Sequence, residues 1–242
     1  MVELGKPTGI SGKEYGVLKR FEKIAPSLNN VQKILDIGCG YGAYTKLLKK
    51  YGKVVVGIDI SQECIFEARL QHPELTFFVA SGEFLPFKNE SFEVVCLIEV
   101  LEHVQNESSF LQEIHRVLRP NGKLIITVPN KFFPFETHSI KIGKKILEPP
   151  IPFFSWLPKQ IRKSFERARI YHPKGLKALL KKCNFKTVMI DYVPPVFEGI
   201  FSEKTKLQNF FRILSNAIFP IPFIKPLGIS IVIIGKKVDI KK

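Results

Sequence analysis

Three alternating glycines, Gly38, Gly40 and Gly42, follow a short apolar run at 34–37. Glycine lets the backbone turn sharply and lets a ligand approach without interference from a Cβ atom. The residues that follow predict a helix, and the first N–H groups of a helix have no partner within it. A strand, a glycine-rich loop and a helix in this order indicate a binding loop for a nucleotide or a nucleoside.

Asp36 indicates which ligand this loop binds, and Asp59 supports a nucleoside without choosing between the candidates. Gly38, Gly40 and Ala43 also match the pattern of dinucleotide-binding loops. Asp36 argues against a dinucleotide, because a carboxylate two residues before the first glycine would repel a pyrophosphate. It would attract an ammonium or a sulfonium group, and its alternative role is to cap the loop. Asp59 ends the next apolar run, and its carboxylate can accept hydrogen bonds from both hydroxyls of a ribose.

The pattern of apolar residues places these motifs in alternating strands and helices. The predicted strands of the first half are 32–37, 53–59, 75–79, 92–98 and 123–128, and the predicted helices are 12–29, 41–51, 62–71 and 107–118. This alternation predicts βαβ units and a parallel sheet of the α/β class. Because ligands bind beyond the carboxyl ends of the strands in such a sheet, the glycine loop and Asp59 are expected to face one site.

The alternation stops after residue 130. Residues 131–170 contain many aromatic residues and five prolines, and they are predicted to form an insertion. Regular elements return with a helix at 173–183, a strand at 186–193, an amphipathic helix near 204–218 and a strand at 229–238. The chain of 242 residues is therefore expected to be a single domain, 1–242, in which 131–170 form an inserted cap over the substrate site.

The net charge of +15 is unevenly distributed along the sequence. The first 130 residues contain 15 basic and 15 acidic residues, whereas 131–186 contain 14 basic and three acidic residues. In the insertion the cations alternate with aromatic residues such as Phe132, Phe153 and Trp156. This combination suits a lipid head group at an interface or a single-stranded nucleic acid. The alternative is a cap whose aromatic residues are buried and whose charges are merely solvated.

The cysteines and the first residues of the sequence indicate a compartment. Cys39, Cys64, Cys96 and Cys183 form no C-x-x-C pair, and no His/Cys cluster has the spacing of a zinc site. The first residues show no apolar core of a signal peptide. The apolar run at 227–234 is shorter than the roughly 20 residues that span a bilayer. We expect a cytoplasmic protein that can contact a membrane surface peripherally.

Six segments together resemble the class I S-adenosylmethionine-dependent methyltransferases, and within them the broad group that includes the quinone-biosynthesis methyltransferases. They are ILDIGCGYG (34–42), VVGIDIS (55–61), EFLPFKNESFEVV (83–95), EVLEHV (99–104), VLRPNGKLIITVPN (117–130) and HPKGLKALLKKCNF (172–185). The resemblance implies a Rossmann-like, doubly wound, mostly parallel seven-stranded sheet with an antiparallel last strand, and it places the inserted cap after the fifth strand. It also implies S-adenosylmethionine as the cofactor, and it leaves the acceptor open.

The resemblance implies roles for the matched residues around the amino-acid end of the cofactor. Asp36, Gly38, Gly40 and Gly42 would surround the methionine part. Glu99 would lie beside the cofactor at the end of the fourth strand. These positions are expected to bind rather than to react, because the cofactor itself carries the activated methyl group.

The resemblance also implies how the adenosine part is held. Asp59 would bind the ribose, and Ile60 would lie against the adenine. Gly82 and Glu83 would line the edge of the adenine. Ser81 stands where the family usually has an aspartate near the adenine amino group, and a hydroxyl accepts that hydrogen bond more weakly.

One version of the family uses an E-x-x-E-H sequence with a further histidine to bind a divalent metal. Glu99, Glu102 and His103 match this pattern, and His138 or His172 would supply the further ligand. Relatives with the same pattern also act without a metal, and we expect none here. His103 is then the candidate catalytic residue, as a general base, unless its role at the end of the strand is structural.

We expect methyl transfer to a small-molecule or lipid-like acceptor, such as a prenylated quinone precursor, and we favour a hydroxyl oxygen as the acceptor atom. No N-P-P-Y/F motif follows the fourth strand, so methylation of the amino group of a base is not expected. Two alternatives remain open. One is an RNA methyltransferase that uses the basic segment 131–186. The other is a scaffold that binds the cofactor without activity.

Overall fold

The computed structural model describes residues 12–142, 145–165, 167–196 and 213–238. The first half contains helices α1 (Gly12–Ile24), α2 (Ala43–Leu48), α3 (Gln62–Gln71) and α4 (Glu107–Val117), and strands β1 (Val31–Ile37), β2 (Gly52–Asp59), β3 (Thr76–Val79), β4 (Phe92–Ile98) and β5 (Leu118–Pro129). The insertion contains strands β6 (Phe135–Glu136), β7 (Ile140–Ile142), β8 (Lys145–Leu147) and β9 (Ile151–Pro152), and the one-turn helix α5 (Lys159–Arg162). The last part contains α6 (Pro173–Lys182), β10 (Phe185–Val193) and β11 (Ser230–Lys237), and residues 213–218 are helical.

Seven strands form one sheet in the order β10-β11-β5-β4-β1-β2-β3. The neighbouring strands from β5 to β3 are parallel, whereas β11 is antiparallel to both β5 and β10. This arrangement confirms the expected α/β fold with a mostly parallel seven-stranded sheet and an antiparallel last strand. The order reverses beside β1, where open α/β sheets bind their ligands.

Helices cover both faces of the sheet because each presents an apolar stripe. On α4, Phe110, Leu111, Ile114 and Val117 recur at helical spacing and are buried against the sheet together with Leu176 and Leu180 of α6. The first turn of α4 is capped by Asn106, whose Oδ1 accepts a hydrogen bond from Ser109 N at 3.2 Å. On the other face, Phe21 and Ile24 of α1 pack with Leu47 and Leu48 of α2.

Several element boundaries differ from those predicted. The helix predicted at 12–29 ends at Ile24 and continues as one 3-10 turn, since Pro26 has no N–H to donate. The fifth strand, predicted at 123–128, begins at Leu118 and includes Asn121, which has φ 63°. Of the amphipathic helix predicted near 204–218, residues 213–218 are helical and 204–212 lie outside the described residues.

The insertion after β5 has more regular structure than its prolines indicated. Strand β6 pairs with β9, and β7 pairs with β8. Its aromatic residues divide into two groups, because Phe133 and Phe154 are buried whereas Phe153 and Trp156 are exposed. Among the helices of the described ranges, none has the length and apolar character needed to cross a membrane.

Candidate active site

The glycine loop joins β1 to α2 and is fixed to the neighbouring strand. Gly38 N donates a hydrogen bond to the carbonyl of Ile58 at 2.8 Å. Gly38 has φ 71°, and a Cβ atom there would lie 2.5 Å from Val100 Cγ2. Gly42 has φ 86°, and a Cβ atom there would lie 2.8 Å from Phe77. Only glycine fits these two positions without a shift of the neighbouring side chains.

Asp59, at the end of β2, faces this loop. Its Oδ2 accepts a hydrogen bond from Gly40 N, and its Oδ1 accepts one from Ser61 N, both at 2.9 Å. Each carboxylate oxygen can accept a further hydrogen bond, so the backbone orients Asp59 and leaves it able to bind hydroxyl groups. A Cβ atom at Gly40 would meet no atom within 4 Å. The loop therefore borders open space at Gly40.

Asp36 lies behind the glycine loop and is buried. Its Oδ2 accepts a hydrogen bond from Thr45 Oγ1 of α2 at 2.6 Å. Burial raises the pKa of the Asp36 carboxyl to about 7, against the effect of the Thr45 hydroxyl and with a smaller contribution from Asp59. The residue thus connects the end of β1 to α2. Its expected role beside the methionine part of the cofactor stays a prediction.

A cavity of about 530 Å³ opens at the carboxyl ends of β1, β2 and β4. The residues expected at the site that line it are Gly38, Asp59, Ile60, Ser81, Gly82, Glu83, Glu99 and His103. Asp36, Gly40 and Gly42 do not belong to the described lining. The roles expected for these three residues at the cofactor stay predictions.

One end of the cavity has the features of an adenine site. Ile60 is 77% exposed although it is a large apolar residue, and a flat apolar ligand would cover it. Ser81 Oγ accepts a hydrogen bond from Glu83 N at 3.2 Å. A Cβ atom at Gly82 would lie 2.3 Å from Phe110, so this position also requires glycine.

The other end of the cavity carries an ion pair that the sequence did not predict. Arg20 Nε of α1 donates to Glu99 Oε1 at 3.2 Å, and both side chains are largely buried. Glu99 has φ 57°, a conformation rare for a non-glycine residue, and its N–H donates to the carbonyl of Thr127 at 3.0 Å. Arg20 also interacts with Tyr44, whose pKa is raised by burial. The two members of the ion pair are 79 residues apart, so no local pattern relates them.

The residue His103 lines the cavity beside a group of buried acids and a second imidazole. The ring of His138, from the cap, meets the ring of His103 edge-on at 5.6 Å. His138 Nε2 lies 4.0 Å from Glu102 Oε1, and His138 Nδ1 lies 3.4 Å from Glu136 Oε1. Both Glu102 oxygens and Glu136 Oε2 are buried without a hydrogen-bond partner.

The environment of this group changes the protonation of two residues. Burial and the nearby charge of Glu99 raise the pKa of Glu102 to about 9. Burial, and then the charges of His138 and Arg167, hold the pKa of His103 below its ordinary 6.5 although Glu99 acts in the opposite direction. His103 is therefore neutral at pH 7 and can accept a proton. Ligand atoms of Glu102, His103 and His138 lie within 4.8 Å of one another, so these residues could also hold a metal ion.

Comparison with known proteins identifies the fold and the motifs. Residues 35–126 match the methyltransferase domain family. A ubiquinone biosynthesis O-methyltransferase of Pelagibacter ubique is 34% identical over 68% of this chain and 65% of its own length. A demethylmenaquinone methyltransferase of Tropheryma whipplei is 35% identical over 39% of this chain and 41% of its own length. The chain thus spans between two fifths and two thirds of the length of these curated relatives.

The solved structures agree. An S-adenosylmethionine-dependent methyltransferase of Mesorhizobium loti superposes with a TM-score of 0.63 at 16% identity, over 94% of this chain and all of that one. One of Archaeoglobus fulgidus gives a TM-score of 0.60 at 18% identity, over 94% of this chain and 95% of that one. Residues 35–126 thus carry the methyltransferase domain, and the chain has the fold of the S-adenosylmethionine-dependent methyltransferases.

The residues of this methyltransferase fit the cofactor of the family, S-adenosylmethionine. The carboxylate of Asp59 and the exposed face of Ile60 lie along one cavity. These features suit a ribose and an adenine. Arg20 and Glu99 offer one cation and one anion at the other end, as the zwitterionic end of the cofactor requires.

The cations of the methyltransferase cap differ in their surroundings. Arg162 is 4% exposed, and its Nε donates to the carbonyl of Leu157 at 3.0 Å. Arg169 donates to the carbonyls of Val104 and Gln105, two residues that line the cofactor cavity. Both arginines thus bind backbone carbonyls, and both also line a further cavity of about 280 Å³. Lys163 and Arg167 are exposed.

Proposed function

We propose that the protein transfers the methyl group of S-adenosylmethionine to a hydroxyl oxygen of a small or lipid-like acceptor. The observation that carries the proposal is the position of His103, an imidazole with a lowered pKa that is exposed on the wall of the cofactor cavity. The relatives named for ubiquinone biosynthesis support an acceptor of this class.

Some residues of the site bind the cofactor, and one accepts a proton from the acceptor. When bound, the cofactor supplies a methyl group that is already activated by the sulfonium. Asp59 and Ile60 hold the nucleoside, and the pair of Arg20 and Glu99 holds the amino-acid end. His103 Nδ1 or Nε2 accepts the proton that the acceptor hydroxyl loses as its oxygen gains the methyl group.

The cap, residues 131–170, forms the acceptor side of the cavity in this proposal. His138 belongs to the cap and contacts His103, so the cap reaches the group that takes the proton. The exposed Phe153 and Trp156 lie in the same segment as the exposed cations Lys163 and Arg167. This combination suits peripheral contact with a membrane surface from which a lipid-like acceptor would arrive.

A transfer assay with methyl-labelled S-adenosylmethionine and alkyl-substituted phenols and catechols tests the proposal. We expect label on the phenolic oxygen, and we expect His103→Ala to lower kcat by about 10²–10⁴-fold, the usual contribution of a general base. The acid limb of kcat in the wild type should lie below pH 6.5, because the pKa of His103 is lowered.

His115→Ala is the matched control, since His115 is a partly exposed histidine of α4, outside the cofactor cavity, whose Nε2 lies 3.1 Å from the carbonyl of Val238. It should retain the wild-type kcat. Binding of S-adenosylhomocysteine without methyl transfer to any hydroxyl acceptor would refute the proposal and favour a scaffold that binds the cofactor.

A further inference from the structure

A second cavity, of about 310 Å³, lies between the start of the cap and the residues that precede β11. Its described lining is Phe133, Pro134, Phe135, Pro195, Leu214, Ser215, Ile218, Phe219, Ile224 and Leu227. None of these residues lines the cofactor cavity. The volume is at the lower end of the range for small-molecule pockets.

The described lining offers no free hydrogen-bonding side chain. Ser215 is its one polar residue, and the Ser215 hydroxyl donates to the carbonyl of Pro195 at 3.0 Å. A polar group placed in this cavity would lose its hydrogen bonds to water without replacement, at a cost of about 1–3 kcal/mol. The occupant that fits is therefore hydrocarbon.

The residues beside the cavity indicate that such an occupant extends beyond it. Ile213 is 70% exposed and Phe223 is 92% exposed, and each lies within one residue of a lining residue. Leu214 and Leu227 line the cavity and are themselves partly exposed. An apolar chain that leaves the cavity would cover apolar surface at this border.

One short stretch of the cap connects this cavity to the proton-accepting group. Phe133 and Phe135 line the cavity, and their rings lie 5.7 Å apart. His138, three residues after Phe135, contacts His103 in the cofactor cavity. Three residues of fully extended chain span at most about 11 Å, so the cavity and the site of methyl transfer are close.

We propose that this cavity, lined by Phe133, Phe135, Leu214 and Phe219, binds the hydrocarbon chain of an amphiphilic methyl acceptor whose hydroxyl head group lies at His103. The inference rests on the proposed function and adds to it a site for the chain. Because the cap contacts His103, we expect the cavity to be occupied by the chain of the acceptor rather than by the acyl chain of a membrane lipid.

A series of 4-alkylphenols with chains of one to ten carbons, below their aggregation concentration, tests the inference by calorimetry in the presence of S-adenosylhomocysteine. We expect the affinity to rise by up to about fourfold for each added methylene until the cavity is filled. Leu214→Trp should fill the cavity and remove this dependence on chain length. Ile213→Trp, at the exposed neighbouring position, should retain it.

Binding of S-adenosylhomocysteine to both variants reports that they are folded, and it separates the two proposals. Absence of that binding in the wild type would refute the proposed function, whereas normal binding with an affinity independent of chain length would overturn the cavity assignment alone. The wild type could bind phosphatidylcholine vesicles and Leu214→Trp could fail to bind them, while the affinity for the phenols does not depend on chain length. This result would assign the cavity to a membrane lipid. A dimer that Leu214→Trp dissociates would assign it to a second copy of the chain. Either result would overturn the inference.

Discussion

Arg20 Nε lies 3.2 Å from Glu99 Oε1, so the helix before the sheet contacts the end of a central strand. Glu99 has a positive φ and is held at its N–H by Thr127. The strained backbone and the ion pair together aim the carboxylate at the cofactor cavity. Helix α1 thereby takes part in the site as well as in the core.

The contributions of Arg20 and Glu99 to cofactor binding should be non-additive. We expect Arg20→Ala and Glu99→Gln each to weaken binding of S-adenosylhomocysteine, and the double variant to lose less than the sum, with a coupling energy of about 0.5–3 kcal/mol. Calorimetry on the four proteins measures it. Lys19→Ala is the control, because Lys19 pairs with the exposed Glu22. Strict additivity would show that the pair does not act as a unit.

Asp36 should make the stability depend on pH. Its pKa is about 7 in the folded protein and 3.8 ordinarily, so the folded state keeps a proton that the unfolded chain releases between these values. The free energy of unfolding should therefore fall as pH rises from 4 to 7, by up to about 4 kcal/mol from this residue. Asp36→Asn should remove this component and be more stable than the wild type at pH 8.

Urea unfolding at pH 5 and at pH 8 measures the difference. Glu74→Gln, at an exposed position, should follow the wild type at both pH values. If the free energies of unfolding of the wild type and of Asp36→Asn change by the same amount between pH 5 and pH 8, Asp36 does not ionise in this range.

Methyl transfer should survive chelation. Burial raises the pKa of Glu102 to about 9, so a metal at Glu102, His103 and His138 would have to displace a proton at pH 7. We expect the activity with a phenolic acceptor to be unchanged by EDTA. Loss of activity on chelation, with recovery on addition of magnesium or zinc, would instead make Glu99, Glu102 and His103 ligands.

The cap cations should separate into two classes. Arg169→Ser removes donors to the carbonyls of Val104 and Gln105, so it should weaken S-adenosylhomocysteine binding as well as acceptor binding. The double variant Lys163→Ser with Arg167→Ser should leave cofactor affinity unchanged and raise the KM for an anionic acceptor, with a smaller effect at high salt. Steady-state kinetics and calorimetry distinguish the two. An unchanged KM at low salt would make these two charges a solvated surface.

Local sequence patterns predicted the part of the site that lies on consecutive residues. The glycines at 38, 40 and 42 and the acid at the end of β2 belong to one βαβ unit, so their spacing carried the information. The parallel pairing of strands in the first half also followed from the alternation of elements, because parallel neighbours require a crossover of this length.

The remaining part depends on contacts between distant residues. The pairing of Arg20 with Glu99 and the meeting of His138 with His103 join different elements, and no periodicity indicates them. Asp36 was expected beside the ligand because its type and position fit an ammonium group, but its burial and its hydrogen bond with Thr45 were not indicated by the sequence. Charge alone could not show that Arg162 is buried, since a long side chain can reach a carbonyl from many positions.

The position of β11 has a consequence for the order in which a nascent chain can fold. This strand is the last of the described elements to leave the ribosome, yet it lies between β5 and β10 in the sheet. Strands β1 to β5, which carry the cofactor loops, can assemble while translation continues, but β5 then presents an unpaired edge and β10 has no neighbour. The strands of the cofactor site are thus synthesised before the strand that completes the sheet. Until β11 has been synthesised, the unpaired edge of β5 must be protected from pairing with other chains.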